Sequence, residues 1–262
     1  MCKKIFLRVV LCALTFFMPL KTQAAYVGNP ARIYNQDKNQ KKFTFFSEGM
    51  VDIVYDRGAK FQSDEAKVDS YWGIAGATYD NWFTLYGGLG AATAELSFTT
   101  LSNDIKWDSD TGFSWLAGTC FKLYDKKLEN FHNAWMVVDL DFQYRNTDIE
   151  PDRISIGSIE YQVPDPAIGY SSIEYNDWHA ALTCALDFDM FSPYAGLKYS
   201  DFESCVRVMR GRTVFQKDNA EADDNFGAFI GLSVKPFKFC YASVEAGFID
   251  EKSISSAMSF KF

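Results

Sequence analysis

With 262 residues, the chain has the length of one large domain, and nothing in its composition separates two halves. Its formal net charge of −8 argues against nucleic acids and anionic lipid headgroups as partners. Hydrophobic residues make up 48% of the chain and aromatic residues 17%, which excludes disorder over most of its length.

The N-terminal stretch, residues 1–24, has the pattern of a secretory signal peptide. Lys3, Lys4 and Arg8 give it a positive start, an apolar run follows, and small residues near Ala24 provide a cleavage site. The apolar run is too short to span a bilayer comfortably. Cleavage would remove four basic residues and no acidic one, which moves the net charge from −8 to −12.

The rest of the sequence has no apolar run of 18 or more residues, so an integral protein of this sequence must cross the membrane with strands. We expect residues 25–42 to form a periplasmic N-terminal segment. Residues 43–262 should form a transmembrane, antiparallel, up-and-down β-barrel of about ten to twelve strands. Period-two alternation predicts strands at residues 43–56, 70–79, 82–98, 112–124, 134–145, 173–188, 193–202, 225–234, 239–248 and 253–262.

Two features of the connections support a barrel in the bacterial outer membrane. Asp80 and Asn81 form an Asx dipeptide between two alternating runs, which indicates a tight hairpin. Short turns and longer loops alternate along the chain, as expected if the short turns face the periplasm. The short turn at 249–252 is an exception, because it should lie on the outer side. Residues 154–163 and 206–215 are candidates for additional strands.

The last strand is expected to close the barrel. Its odd positions are small or polar, and its even positions are mostly apolar, so one face suits lipid and the other an interior. The alternative is the last strand of a soluble sandwich, which would expose an aromatic edge to water. The apolar residues that we expect to act as a signal for the barrel-assembly machinery are Ile254, Met258, Phe260 and Phe262.

Charged residues recur on the strand face opposite the apolar one, and they are the candidate functional residues. One hypothesis is that they line a wet lumen and set its preference for ions. The alternative is a plugged interior held by salt bridges, without a continuous pore. The candidate pore-lining residues are Lys122, Asp139, Asp141, Arg145, Asp187, Lys198, Glu245 and Lys261.

Outside the signal peptide the chain has four cysteines, Cys120, Cys184, Cys205 and Cys240. Export permits disulfides, and four cysteines allow three pairings among which the sequence does not choose. Alternation predicts that Cys184 and Cys240 face lipid. We expect Cys205, in a predicted loop, to be the main cross-linking candidate and Cys120 a further one. The four cysteines are not spaced as zinc ligands are, so we expect no metal site and no cofactor.

An outer membrane lipase or protease is the enzymatic alternative, and it would use one of the two histidines, His132 or His179. No Gly-x-Ser-x-Gly motif marks a nucleophile, and a lone histidine needs a positioned partner to do chemistry. The run of residues 87–90 is rich in glycine but lacks the Lys-Ser/Thr of a phosphate loop. We therefore expect no enzyme activity.

Several stretches resemble the chlamydial major outer membrane porin family. They follow the family order and touch both ends of the chain after the signal peptide: residues 27–31 (VGNPA), 51–57 (VDIVYDR), 88–91 (GLGA), 172–179 (SIEYNDWH), 193–200 (PYAGLKYS) and 244–262. The resemblance implies a porin for small hydrophilic solutes that also stiffens the envelope through disulfides with cysteine-rich surface proteins. This chain is shorter than the familiar members and has fewer cysteines, so its lumen should be narrower.

The sequence therefore predicts an outer membrane porin through which small solutes diffuse passively. We also expect a structural role in the envelope and the formation of homo-oligomers. The alternative is a structural or adhesive barrel of the same fold without a conducting pore.

Overall fold

The computed structural model describes residues 27, 42–59, 64–99, 104–129, 134–163, 170–210, 213–221 and 225–262. The part of the chain described contains no apolar helix of membrane-spanning length. The strands are β1 (Phe43–Ala59), β2 (Asp64–Tyr79), β3 (Phe83–Thr99), β4 (Asp104–Ser109), β5 (Gly112–Leu128), β6 (Ala134–Ile149), β7 (Pro151–Ile156), β8 (Ile159–Gln162), β9 (Tyr170–Asp187), β10 (Phe191–Arg210), β11 (Thr213–Glu221), β12 (Phe226–Phe237), β13 (Cys240–Phe248) and β14 (Glu251–Lys261).

Ten of these strands close into an antiparallel barrel, which confirms the predicted fold. Their order around the ring is β1, β2, β3, β5, β6, β9, β10, β12, β13 and β14. The last strand returns to the first, so that Glu48 lies opposite Ser259 and Asp52 opposite Ser255. Each strand of this described wall is thus hydrogen-bonded on both sides, which satisfies the backbone polar groups without an open edge.

The two ends of the barrel differ, as the sequence predicts. At the end that we call the inner end, tight turns join β2 to β3, β9 to β10 and β12 to β13, and the chain finishes with Phe262. Asp80, Asn81 and Asp189 in these turns have positive φ angles of 49°, 58° and 71°, a conformation that short Asx side chains tolerate. At the opposite, outer end, several strands extend beyond the ring. The asymmetry is that of outer membrane barrels.

The outward face of the ring is apolar. Leu197 is 65% exposed and Phe226 is 70% exposed, and large apolar side chains from other strands lie on the same surface. A continuous surface of this kind would aggregate in water, whereas hydrocarbon covers it without cost. On β14, Met258 and Phe260 face outward and Ser255 and Ser259 are buried, which agrees with the predicted parity.

Glycines on the inward face leave room for aromatic rings that lie against the inside of the barrel wall. A Cβ on Gly118 would overlap the ring of Tyr86, and a Cβ on Gly231 would overlap the ring of Tyr194. In each pair the glycine and the aromatic residue lie on adjacent strands. The missing side chains thus create the space that large interior residues occupy, and part of the interior is filled in this way.

An apolar cluster fills the outer end of the barrel. Beyond its pairing with β5, strand β3 pairs with β4, which pairs with β7, and β7 pairs with β8. Trp107 of β4 and Ile154 of β7 are buried against inward-facing residues of the ring. We call this cluster the outer cap; its members are Val54, Val68, Ala92, Ala94, Trp107, Ile149 and Ile154.

Three segments predicted from the sequence differ in the structure from a simple ring strand or loop. Both candidate additional segments, 154–163 and 206–215, contain strand, but those strands extend the sheet beyond the ring rather than widen it. The charged stretch after residue 202, predicted as a loop, is instead a hairpin of β10 and β11, because its β-branched residues favour strand. The predicted periplasmic segment, 25–42, lies mostly outside the described residues, yet Val27 is described and is buried inside the barrel.

The short outer turn between β13 and β14 is strained. Ile249 has a φ of 94°, which is unfavourable for a β-branched residue. Its side chain is 71% exposed, whereas the next residue, Asp250, is buried. Ile249 therefore adopts an unfavourable backbone conformation, and the Asp250 carboxylate points into the barrel.

We expect Ile249→Gly to raise the free energy of unfolding by about 1 kcal/mol, because glycine removes the strain and little buried surface is lost. Denaturant titration in lipid vesicles measures the change. The matched control is Ile249→Val, which keeps the β-branch and should give no gain. A loss of stability in Ile249→Gly would show that the turn is not strained.

Candidate functional site

The central feature of the interior is an ion pair between Arg145 of β6 and Asp52 of β1. These strands lie four positions apart in a ring of ten, so the pair bridges the lumen rather than neighbouring strands. Ser255 donates a hydrogen bond to Asp52 Oδ1 at 2.9 Å, and Arg145 Nε donates to Gln143 Oε1 at 2.8 Å. The guanidinium carbon lies 5.8 Å from the Trp72 ring centroid. The bridge is thus held on both sides by further contacts.

A second bridge joins β10 to the outer turn. Lys198 Nζ pairs with Glu251 and lies 3.2 Å from Asp250 Oδ2, and all three side chains are fully buried. Ser200 donates a hydrogen bond to the same Asp250 oxygen at 2.7 Å. The Asp250 carboxylate lies over Gly227, in space that a Cβ would occupy. One ammonium group therefore contacts two carboxylates away from water.

A third group of polar side chains joins β3, β6 and β9. Tyr86 Oη donates a hydrogen bond to Asp141 Oδ1 at 2.8 Å, and Gln143 Nε2 donates to Tyr86 Oη at 3.4 Å. His179 Nε2 lies 3.7 Å from the same Asp141 oxygen. His179 is 1% exposed, so a substrate has no access to it in this structure.

The interior carries an excess of negative charge. Among the buried residues that the structure describes, two are basic, Arg145 and Lys198. The buried acidic residues are Glu48, Asp52, Asp139, Asp141, Asp177, Asp187, Glu245, Asp250 and Glu251. Such an interior attracts cations and repels anions.

The eight predicted interior residues divide into two groups. Asp139, Asp141, Arg145, Asp187, Lys198 and Glu245 are buried inside the barrel. Lys122 and Lys261 are partly exposed near the inner end. Lys122 lies opposite Asp139 in the sheet and pairs with Asp125 at 2.8 Å, while Lys261 Nζ lies 4.7 Å from the Tyr241 ring centroid.

Several residues that form the buried ion pairs and hydrogen bonds of the interior were not predicted from the sequence. Glu48 and Asp52 follow the inward parity of β1, so alternation alone could have identified them. Tyr86 and Gln143 also have inward parity but carry no charge. Asp250 and Glu251 could not have been found in this way, because the sequence places them in a turn. The missed residues are Glu48, Asp52, Tyr86, Gln143, Asp177, Asp250 and Glu251.

The space beside the Arg145–Asp52 pair is small. A cavity of about 20 Å³ lies beneath the outer cap, lined in part by Asp52, Trp72, Arg145 and Asp177. A cavity of this size holds about one water molecule.

In the part of the chain that the structure describes, the thiols of Cys184 and Cys240 are free. Cys184 is exposed on the outward face, as predicted, but Cys240 is buried, because Phe237 and Phe260 flank it on the neighbouring strands. Cys120 is buried on the inward face, which places its thiol away from any neighbouring protein. Cys205 lies in β10 rather than in a loop.

An exposed ion-pair group lies on the extension beyond the ring. Lys106 Nζ is 3.0 Å from Glu95 Oε1 and 3.2 Å from Asp108 Oδ1. The hydrogen bond to Glu95 raises the pKa of Lys106. Burial alone would raise the pKa of Glu95, but hydrogen bonds from Lys106 and Lys67 lower it overall. Because these groups are well exposed, their contribution to stability should be small.

No family model and no curated protein matches this sequence. Solved structures with a similar form include the outer membrane protease OmpT from Escherichia coli, with 8% identity, a TM-score of 0.45, and coverage of 88% of this chain and 100% of that one. The translocator domain of the autotransporter NalP from Neisseria meningitidis has 11% identity, a TM-score of 0.41, and coverage of 86% and 90%. The COG4313 outer membrane channel from Pseudomonas putida F1 has 12% identity, a TM-score of 0.32, and coverage of 93% and 99%. Likenesses this weak assign no function.

Proposed function

We propose that this protein is an integral barrel of the bacterial outer membrane with a structural role in the envelope, and that its interior is closed in the resting state. The observation that carries the proposal is the buried Arg145–Asp52 pair, which bridges the lumen between strands four positions apart. An open porin lumen would leave such charges in contact with water, whereas here both side chains are buried.

Barrel size supports the same conclusion. Side chains fill the interior of an eight-stranded barrel, and aqueous channels are typical of barrels with sixteen or more strands. A ring of ten strands lies near the lower limit. The outer cap and the interior aromatic rings occupy the space that two additional strands provide.

The membrane placement rests on the apolar outward face. Outer membrane lipid is the partner of that face, and the barrel-assembly machinery is the partner of β14. Export through the signal peptide precedes both. Homo-oligomers and disulfide links to other envelope proteins fit a structural role, with Cys205 as the thiol to test. His179 is closed off from substrate and has no catalytic role in this proposal, and the other candidate histidine, His132, lies outside the described residues.

Passive diffusion of small hydrophilic solutes is the second candidate, and the negative charge of the interior favours it in the form of a narrow cation pathway. This is the function that the resemblance to chlamydial major outer membrane porins implies. It requires the Arg145–Asp52 and Lys198–Glu251 pairs to separate and the outer cap to move.

Planar-bilayer recording of the purified, folded protein distinguishes the two candidates. The closed barrel predicts no steady open level in potassium chloride, while a general porin added to the same bilayer conducts. Steady steps with a preference for cations would contradict the structural proposal and favour the narrow channel.

A further inference from the structure

Val27 is bound inside the barrel although it belongs to no strand. It is 1% exposed, and its side chain contributes to a buried apolar cluster. That cluster is formed with Val137 of β6, Ala181 and Ala185 of β9, Tyr194 of β10 and Phe229 of β12. Because Val137 and Ala185 lie close to the inner turns, the contact is in the inner half of the barrel.

The contact also has a polar part. The Val27 backbone N–H donates a hydrogen bond to Glu245 Oε1 at 3.0 Å. Glu245 is itself 1% exposed, and a buried carboxylate needs donors to offset the loss of water. A branched apolar side chain and one backbone N–H are thus recognised together, which is the chemistry of a peptide-binding site.

The ring does not need Val27 to complete its hydrogen bonding. Every strand of the ring is already paired with two neighbours. The chain that connects Val27 to the start of β1 can span roughly 50 Å when extended, so the segment can leave the site without unfolding the barrel. A tether of this length also keeps the local concentration of the segment high.

We propose that the inner half of the barrel is a binding site for a peptide segment, and that the segment of this chain containing Val27 is its resident, removable occupant. Glu245 accepts the backbone N–H, and the apolar cluster holds the side chain. The proposal does not depend on whether the barrel conducts.

The test measures access to the site with a single cysteine at Val137. Val137→Cys is introduced after Cys120, Cys184, Cys205 and Cys240 are replaced by serine, and a charged maleimide is applied to the folded protein. Removal of residues 27–41 is expected to increase the labelling rate about tenfold, because Val27, which packs against Val137, is gone. The full-length variant Val27→Asp should act in the same direction, since it places a second carboxylate beside Glu245, whereas Val27→Ile should leave the cysteine protected.

Two comparisons make the result specific. Val54→Cys in the outer cap is the matched control, and its labelling rate should not change when the segment is removed. A synthetic peptide of residues 25–35, added to the shortened protein, should restore protection at Val137→Cys, and the same peptide with Val27→Asp should not. Unchanged protection after removal of the segment, or equal gains at both cysteines, would overturn the proposal.

Discussion

Replacing Arg145 with alanine is expected to lower the free energy of unfolding of the barrel by about 3–5 kcal/mol. The substitution leaves Asp52 buried without its main cation, and Asp52 cannot move to water because it lies on the inward face of β1. It also removes the guanidinium from its place over Trp72. Denaturant titration in lipid vesicles, followed by tryptophan fluorescence, measures the difference.

Two further variants test the cause of this loss. Arg153→Ala removes an arginine from a pair with Glu160 whose side chains are 47% and 58% exposed, so its effect should stay below about 1 kcal/mol. The double variant Asp52→Ala/Arg145→Ala should recover part of the loss, because Asp52 is no longer left as a buried carboxylate without its main cation. Equal effects of Arg145→Ala and Arg153→Ala would show that the bridge is not buried.

Lys198→Met is expected to cost at least as much, about 4–5 kcal/mol, because it leaves two buried carboxylates without their shared cation. Methionine keeps most of the apolar stem, so the loss reports the charge rather than the packing. The same titration measures it. Restoring neutrality with Asp250→Asn and Glu251→Gln in the Lys198→Met background should recover much of the stability.

Lys106 provides the matched control, because it also pairs with two carboxylates, Glu95 and Asp108, but has a side chain that is 45% exposed. Lys106→Met should therefore change the free energy of unfolding by less than about 1 kcal/mol. If Lys198→Met were as mild as Lys106→Met, the second bridge would not contribute to holding the barrel closed.

The sequence was sufficient to predict the barrel because alternation has a period of two and the face of each residue follows from it. Asp139, Asp141 and Arg145 lie on the inward face of β6 for this reason. The tight turn at Asp80 and Asn81 was predictable from local chemistry.

The pairing inside the barrel could not be predicted in the same way. Arg145 meets Asp52 because of the order and stagger of strands that are distant in sequence. Parity reports that a side chain points inward, but not which side chain it meets across the lumen. A charged interior is thus expected in both an open and a closed barrel, and only the contacts distinguish them.

Local features that alternation does not report explain the remaining differences between sequence and structure. Cys240 has outward parity, but Phe237 and Phe260 flank it in the sheet. Asp250 has no parity in the sequence because it lies in a turn, and the positive φ of Ile249 turns it inward. Strand β4 was missed because it is only six residues long and many of those residues are charged.

Cysteine reactivity along β14 is the most direct test of a sheet that is closed, apolar outside and filled inside. Ser253, Ser255, Ser256 and Ser259 are each changed to cysteine, a substitution of similar size, in protein without other cysteines and folded in lipid vesicles. We predict that inward positions 253, 255 and 259 react with neither a charged nor a lipid-soluble maleimide, and that outward position 256 reacts with the lipid-soluble reagent alone. Rapid reaction of the inward cysteines with the charged reagent would show a water-filled lumen and contradict the closed barrel.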